Sequence, residues 1–89
     1  MDKEYPQPDF RIFVSSLSLQ AMIALGMVES PISGKKEKDP KQARFLIDTL
    51  DMIKDKTQGN LTMEEKHYLE EALTSLKLNY AKLVKEGGV

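Results

Sequence analysis

Residues 10–28 read Phe10-Arg11-Ile12-Phe13-Val14-Ser15-Ser16-Leu17-Ser18-Leu19-Gln20-Ala21-Met22-Ile23-Ala24-Leu25-Gly26-Met27-Val28, without a proline. Apolar residues recur at helical spacing, but on two faces. Phe10, Phe13, Val14, Leu17, Ala21, Ala24, Leu25 and Val28 make one; Ile12, Leu19, Ile23 and Met27 make the other. Only a narrow strip of Arg11, Ser15 and Ser18 is polar. Asp9, just upstream, is placed to accept hydrogen bonds from the free amides of a first turn, so a helix is predicted over 10–28. A helix apolar nearly all round has to be covered nearly all round. What covers it decides the fold.

Upstream, residues 1–8 hold Pro6 and Pro8 and few apolar groups, which predicts a flexible, extended N-terminal arm. Downstream, Pro31, Gly34 and the charges of 29–38 predict a loop. Asp39-Pro40 is a strong helix start: the aspartate caps, and proline gives up an amide that had no partner there. Ala43, Leu46, Ile47, Leu50 and Ile53 form one apolar stripe of a helix over 40–57, with Phe45 and Met52 on its opposite side. Lys56-Thr57-Gln58-Gly59-Asn60 ends it, Lys56 suiting the negative helix end and Gly59 a left-handed cap. Thr62 and Glu65 make a capping box for a third helix over 63–85, whose stripe is Leu69, Ala72, Leu73, Leu76, Tyr80, Leu83 and Val84. Gly87-Gly88 lets its end fray.

Short connections between three helices predict an all-α, antiparallel three-helix bundle, a single domain over 9–86. The second and third helices each offer one principal stripe, too little to cover both faces of the first. The surplus predicts homo-oligomerisation through helix one, a dimer being favoured. The candidate interface is Ile12, Leu19, Gln20, Ile23 and Met27, with Phe45 and Met52 as a second strip. Gln20 either pairs across that interface and sets its register or is satisfied within its helix or by solvent.

Composition narrows the alternatives. A chain of 89 residues buries only roughly 60% of its unfolded surface and usually needs a disulfide, a metal or a partner. There is no cysteine and one histidine, His67, which removes disulfides, thiolate metal sites and a histidine-rich staple. A partner subunit remains. The formal net charge of -1 gives no global attraction to nucleic acid or an anionic membrane. Met-Asp-Lys-Glu-Tyr-Pro does not open as a secretory signal, and with no cysteine the expected location is the cytoplasm.

No motif carries chemistry strongly. His67 lies among Glu64, Glu65, Glu70 and Glu71 with no nucleophile paired to it, so it reads as a surface histidine rather than a general base. Asp48, Asp51 and Asp55 share a helix face and read as solvated, with Arg44 pairing Asp48; a lone Glu64-to-His67 spacing is weak grounds for a metal. Lys35, Lys36 and Lys38, with Lys41 and Arg44, form the one basic cluster, but Glu37 and Asp39 interrupt it and no aromatic platform adjoins it. Gly34-Lys35-Lys36 lacks the first glycine and strand of a phosphate loop. Asn60-Leu61-Thr62 reads as turn and cap rather than a glycosylation acceptor. Residues 10–28 are nearly long enough to span a bilayer, but Arg11, Ser15, Ser16, Ser18 and Gln20 crowd the first half, which argues against insertion.

The assembled pattern resembles the bacterial domain-of-unknown-function 1844 family. The matching segments are Phe13-Val14-Ser15-Ser16-Leu17, Gln20-Ala21, Leu25-Gly26 and Pro31 through Gly34. They continue with Ala43, Ile47-Asp48-Thr49-Leu50-Asp51-Met52, Lys56-Thr57-Gln58-Gly59-Asn60-Leu61-Thr62 and Tyr80. The resemblance covers about residues 10–81 and is most specific over 47–62. It implies a small cytoplasmic helical protein with no established activity, cofactor or partner, and it brings no catalytic residues. The expectation is therefore a non-enzymatic, self-associating module, without a cofactor, that binds another protein. The alternatives are a regulator binding a small ligand or metal through Asp48, Gln20 or the turn of Lys56, Thr57, Gly59 and Asn60, and a weak RNA- or ribosome-associated factor using the 35–44 basic cluster.

Overall fold

The computed structural model describes residues 5–87. Three helices follow in order, α1 (Phe10–Ala24), α2 (Pro40–Lys56) and α3 (Met63–Lys85). Each begins where a side chain can satisfy its first amides. The Asp9 carboxylate accepts from the Arg11 amide at 2.8 Å, and that of Asp39 accepts from Gln42 at 3.1 Å, with Pro40 opening α2. At α3 the Thr62 hydroxyl accepts from the Glu65 amide at 3.1 Å. In return the Glu65 carboxylate accepts from the Thr62 amide at 2.9 Å, completing the capping box.

Helix α1 stops at Ala24, four residues short of the expected Val28. Gly26 takes a left-handed φ of 80°, its amide donating to Ile23 and that of Met27 to Met22, both at 3.0 Å. That pair of bonds is a Schellman motif, which satisfies terminal carbonyls and turns the chain out of the helix. Leu25, Met27 and Val28 prolong the apolar pattern past the point where the backbone leaves it. Leu25 is still buried and forms an isolated antiparallel bridge with Lys38, and the Asp39 amide donates to Ala24 at 2.7 Å. The intervening loop is thus closed at its base. Ile32, at its tip, is 96% exposed.

Cross-contacts give the helix directions. Lys54 meets Glu70, Asp51 meets Lys77 and Arg44 meets Tyr80, so α2 and α3 run oppositely. The Ser15 and Tyr68 hydroxyls bond near the starts of α1 and α3, and Met27 lies beside Lys82 and Leu83 at the far end, so α1 and α3 run together. The arrangement is up-down-up, with all three helices in mutual contact.

The core consists of Val14, Ala21, Ala24 and Leu25; Ala43, Leu46, Ile47 and Leu50; and Leu69, Leu73, Leu76 and Leu83. Small residues on both α1 and α2 let the two helices approach closely, and the leucines supply most of the apolar area. Each fully buried leucine is worth about 1.5–3 kcal/mol. Two expected core residues lie elsewhere: Phe13 is 50% exposed and Val84 40%. Residues 1–4 of the expected arm and Gly88 of the expected frayed end lie outside the described residues.

The molecule measures 43 × 32 × 16 Å with a radius of gyration of 14.4 Å; a compact chain of this length would have about 12 Å. Its accessible surface is 6635 Å², whereas a folded monomer of this mass exposes about 5,300 Å². Part of the excess belongs to the extended segment before α1 and to the 29–38 loop. The rest reflects three helices packed as a thin slab.

Candidate interaction surface

Helix α1 buries Val14, Ala21 and Ala24 and turns the opposite side outward. Ile12 and Leu19 are each close to half exposed and Ile23 is half-buried. With Ser16 they fall at i, i+4, i+7 and i+11, the spacing of a seam onto which a second helix can pack. Ser16 does not spoil the strip, because its hydroxyl already donates to the Ile12 carbonyl at 3.0 Å. Gln20 and Phe13 flank the seam and are both exposed. Phe13 therefore adds to this outer surface instead of the core, its ring 6.3 Å from that of Phe10.

Met27 leaves the expected strip. It lies beyond α1, in the capping turn, 41% exposed beside α3. On α2, Phe45 is 68% exposed and Met52 48%, on the side opposite the buried stripe. Thr49 stands between them with its hydroxyl bonded to the Phe45 carbonyl at 2.7 Å, so it too is polar only in name. Each of the two helices thus carries an outer strip with few unmet hydrogen-bonding groups.

The charged groups lie beside these strips. Arg44 pairs with Asp48 at 3.1 Å and lies over the Tyr80 ring, 6.0 Å from its centroid. Tyr80 and then Asp48 hold its guanidinium above the usual arginine range. Asp51 pairs with Lys77 at 2.9 Å. His67 is a surface residue pairing with Glu71 at 3.0 Å. Among the described residues no three His, Cys, Asp or Glu side chains converge as a metal site, and no helix is long and apolar enough to cross a membrane.

The turn of Lys56, Thr57, Gly59 and Asn60 serves first as a helix end. The Thr57 hydroxyl donates to Ile53 at 2.7 Å, the Asn60 amide donates to Thr57 at 2.9 Å and Gly59 has a φ of 82°. Gly59 falls two residues past the cap residue Thr57, later than the cap position expected of it. Sequence reasoning missed the Ser15–Tyr68 hydroxyl pair and the place of Phe13, since no local signal links residues 53 positions apart.

Neither the curated proteins nor the solved structures contain a match to this chain. The model of the domain of unknown function DUF1844 matches residues 7–82, a span that contains all of α1 and α2 and most of α3, and the chain belongs to that family.

Proposed function

We propose that the protein is a non-enzymatic cytoplasmic interaction module that dimerises through the outer strip of α1 and uses Phe45 and Met52 to extend that interface or to hold a client helix. The observation that carries this reading is the exposed apolar strip. Ile12, Leu19, Phe45 and Met52 are each between 45% and 68% exposed on the outer sides of α1 and α2, where an interface of standard size would take about 800 Å² from each partner. The apolar part of that surface is ordered along α1 at seam spacing, whereas scattered surface residues would show no period. A second copy suits the strip because the same residues from both chains then cover each other. The absence of cysteine fits a reducing compartment.

Light scattering behind a sizing column tests the reading. The wild-type chain is expected at twice its 10.1 kDa, and Leu19→Glu at the monomer mass with its helical circular dichroism kept. Leu19 is close to half exposed, so the fold of one chain tolerates the charge. A wild-type monomer, or a Leu19→Glu protein that remains dimeric, would falsify the assignment. Phe45→Glu then separates the two uses of α2: dissociation places Phe45 in the dimer, and an intact dimer leaves it for a client.

A further inference from the structure

Between the end of α2 and the start of α3 lies a partly open cavity of about 380 Å³, within the roughly 300–1,000 Å³ range of small-molecule sites. Its floor is apolar, formed by fully buried Leu69 and half-buried Leu61. Lys54 and Lys66 are among the residues that line it, with Thr57, Gln58 and Gly59, and no carboxylate does. Lys54 reaches Glu70 only at 4.0 Å. Lys66 has no ion pair among the described residues, although it stands in the first turns of α3, where the helix dipole disfavours a cation. Gly59 faces the cavity with nothing within 4 Å of where a Cβ would stand. Its amide and that of Leu61 give no hydrogen bond to another described residue.

We propose that this cavity binds a small organic anion with an apolar body, its carboxylate or phosphate head drawn to the Lys54 and Lys66 side chains and its alkyl part against Leu61. Two lysines beside an apolar patch suit a ligand that is charged at one end and apolar at the other. The Thr57 hydroxyl is already committed to Ile53 and takes no part. The site lies at the other end of α2 from its N-terminal cap and does not depend on α1 self-association.

The test is an amide-resolved NMR titration of the full chain with hexanoate and with hexyl phosphate, hexanol and inorganic phosphate serving as half-ligands. One or both amphipathic anions should shift Gly59, Leu61, Lys66 and Leu69 saturably, and which one binds more tightly identifies the head group. Each half-ligand should bind at least about tenfold more weakly, the loss of one charge-assisted contact or of the apolar part. Lys54→Gln with Lys66→Gln should weaken the anion by about tenfold or more and leave distant resonances in place, since both side chains are on the surface. Absence of saturable shifts in the wild-type chain, shifts centred on Ile12 and Leu19, or hexanol binding as tightly as hexanoate would each overturn the proposal.

Discussion

Gly26→Ala tests whether the backbone turn after α1 is under the constraint described. The substitution meets two costs. An L-residue at φ 80° sits in the left-handed region at about 1–2 kcal/mol. The new Cβ would also stand 2.8 Å from Cγ of Lys38, a methylene close to a backbone held by the Leu25–Lys38 bridge. Relieving such overpacking typically costs about 1–3 kcal/mol more. The sum, about 2–5 kcal/mol, lowers the Tm of a domain of this length by on the order of 10–40 °C. Gly59→Ala supplies the control, because Gly59 has a φ of 82° but no neighbour within 4 Å; its cost should stop at the backbone part. Urea denaturation at one fixed protein concentration measures both, since self-association would otherwise mix into the stability. Gly26→Ala should exceed Gly59→Ala by about 1 kcal/mol or more, and adding Lys38→Ala should recover that excess. Equal costs for the two alanines, or no recovery, would refute the account of the turn.

Two further outcomes follow from the packing and the caps. Leu50→Ala removes a side chain with no exposed surface and should cost about 2–5 kcal/mol, a large share of the roughly 5–15 kcal/mol of an ordinary domain, read as a lowered Tm in a calorimetric scan. Asp9 is held below its usual carboxylate range first by the Arg11 side chain and then by the Arg11 amide. Its folded pKa is the lower one, so its contribution is present above the unfolded value, about 3.9, and disappears as pH falls through the folded one. Asp9→Asn keeps a capping oxygen and loses the charge. Wild type and variant should therefore differ in stability above pH 4 and converge in more acidic solution. A gap that persists at pH 2 would show that the carboxylate charge is not its source.

The candidate surface was partly legible because exposure of an apolar helix face follows from arithmetic: α1 has more apolar residues than two amphipathic helices can cover. Ile12 and Leu19 were found that way, and Phe45 and Met52 from lying opposite the apolar stripe of α2. Phe13 was not, because spacing assigned it to the core face of α1 and does not say how far round the helix the core extends. Packing chose the side of Val14, Ala21 and Ala24, where short side chains permit close approach, and this rotation left Phe13 at the rim. Met27 was misplaced for a different reason: its spacing fits the strip, but the Schellman turn at Gly26 carries it off the helix axis. The cavity over Leu61 and Leu69 needed Lys54 and Lys66 from two helices, and nothing within either segment signals their meeting.

The residues alone determined that this is a helical protein and where its helices begin. Capping is local: Asp9, Asp39 and Thr62 each reach an amide two or three positions away, so the sequence neighbourhood holds all the chemistry required. Stripe periodicity is equally local, and it placed most of the core of α2 and α3. Tertiary structure decided how far round α1 the core extends, how the 29–38 loop is pinned by Leu25 and Lys38, and how far the slab stays open. Those outcomes depend on shape matching between segments far apart in the chain. An apolar side chain gains about the same free energy from any neighbour that removes it from water, so composition cannot name that neighbour, and geometry does.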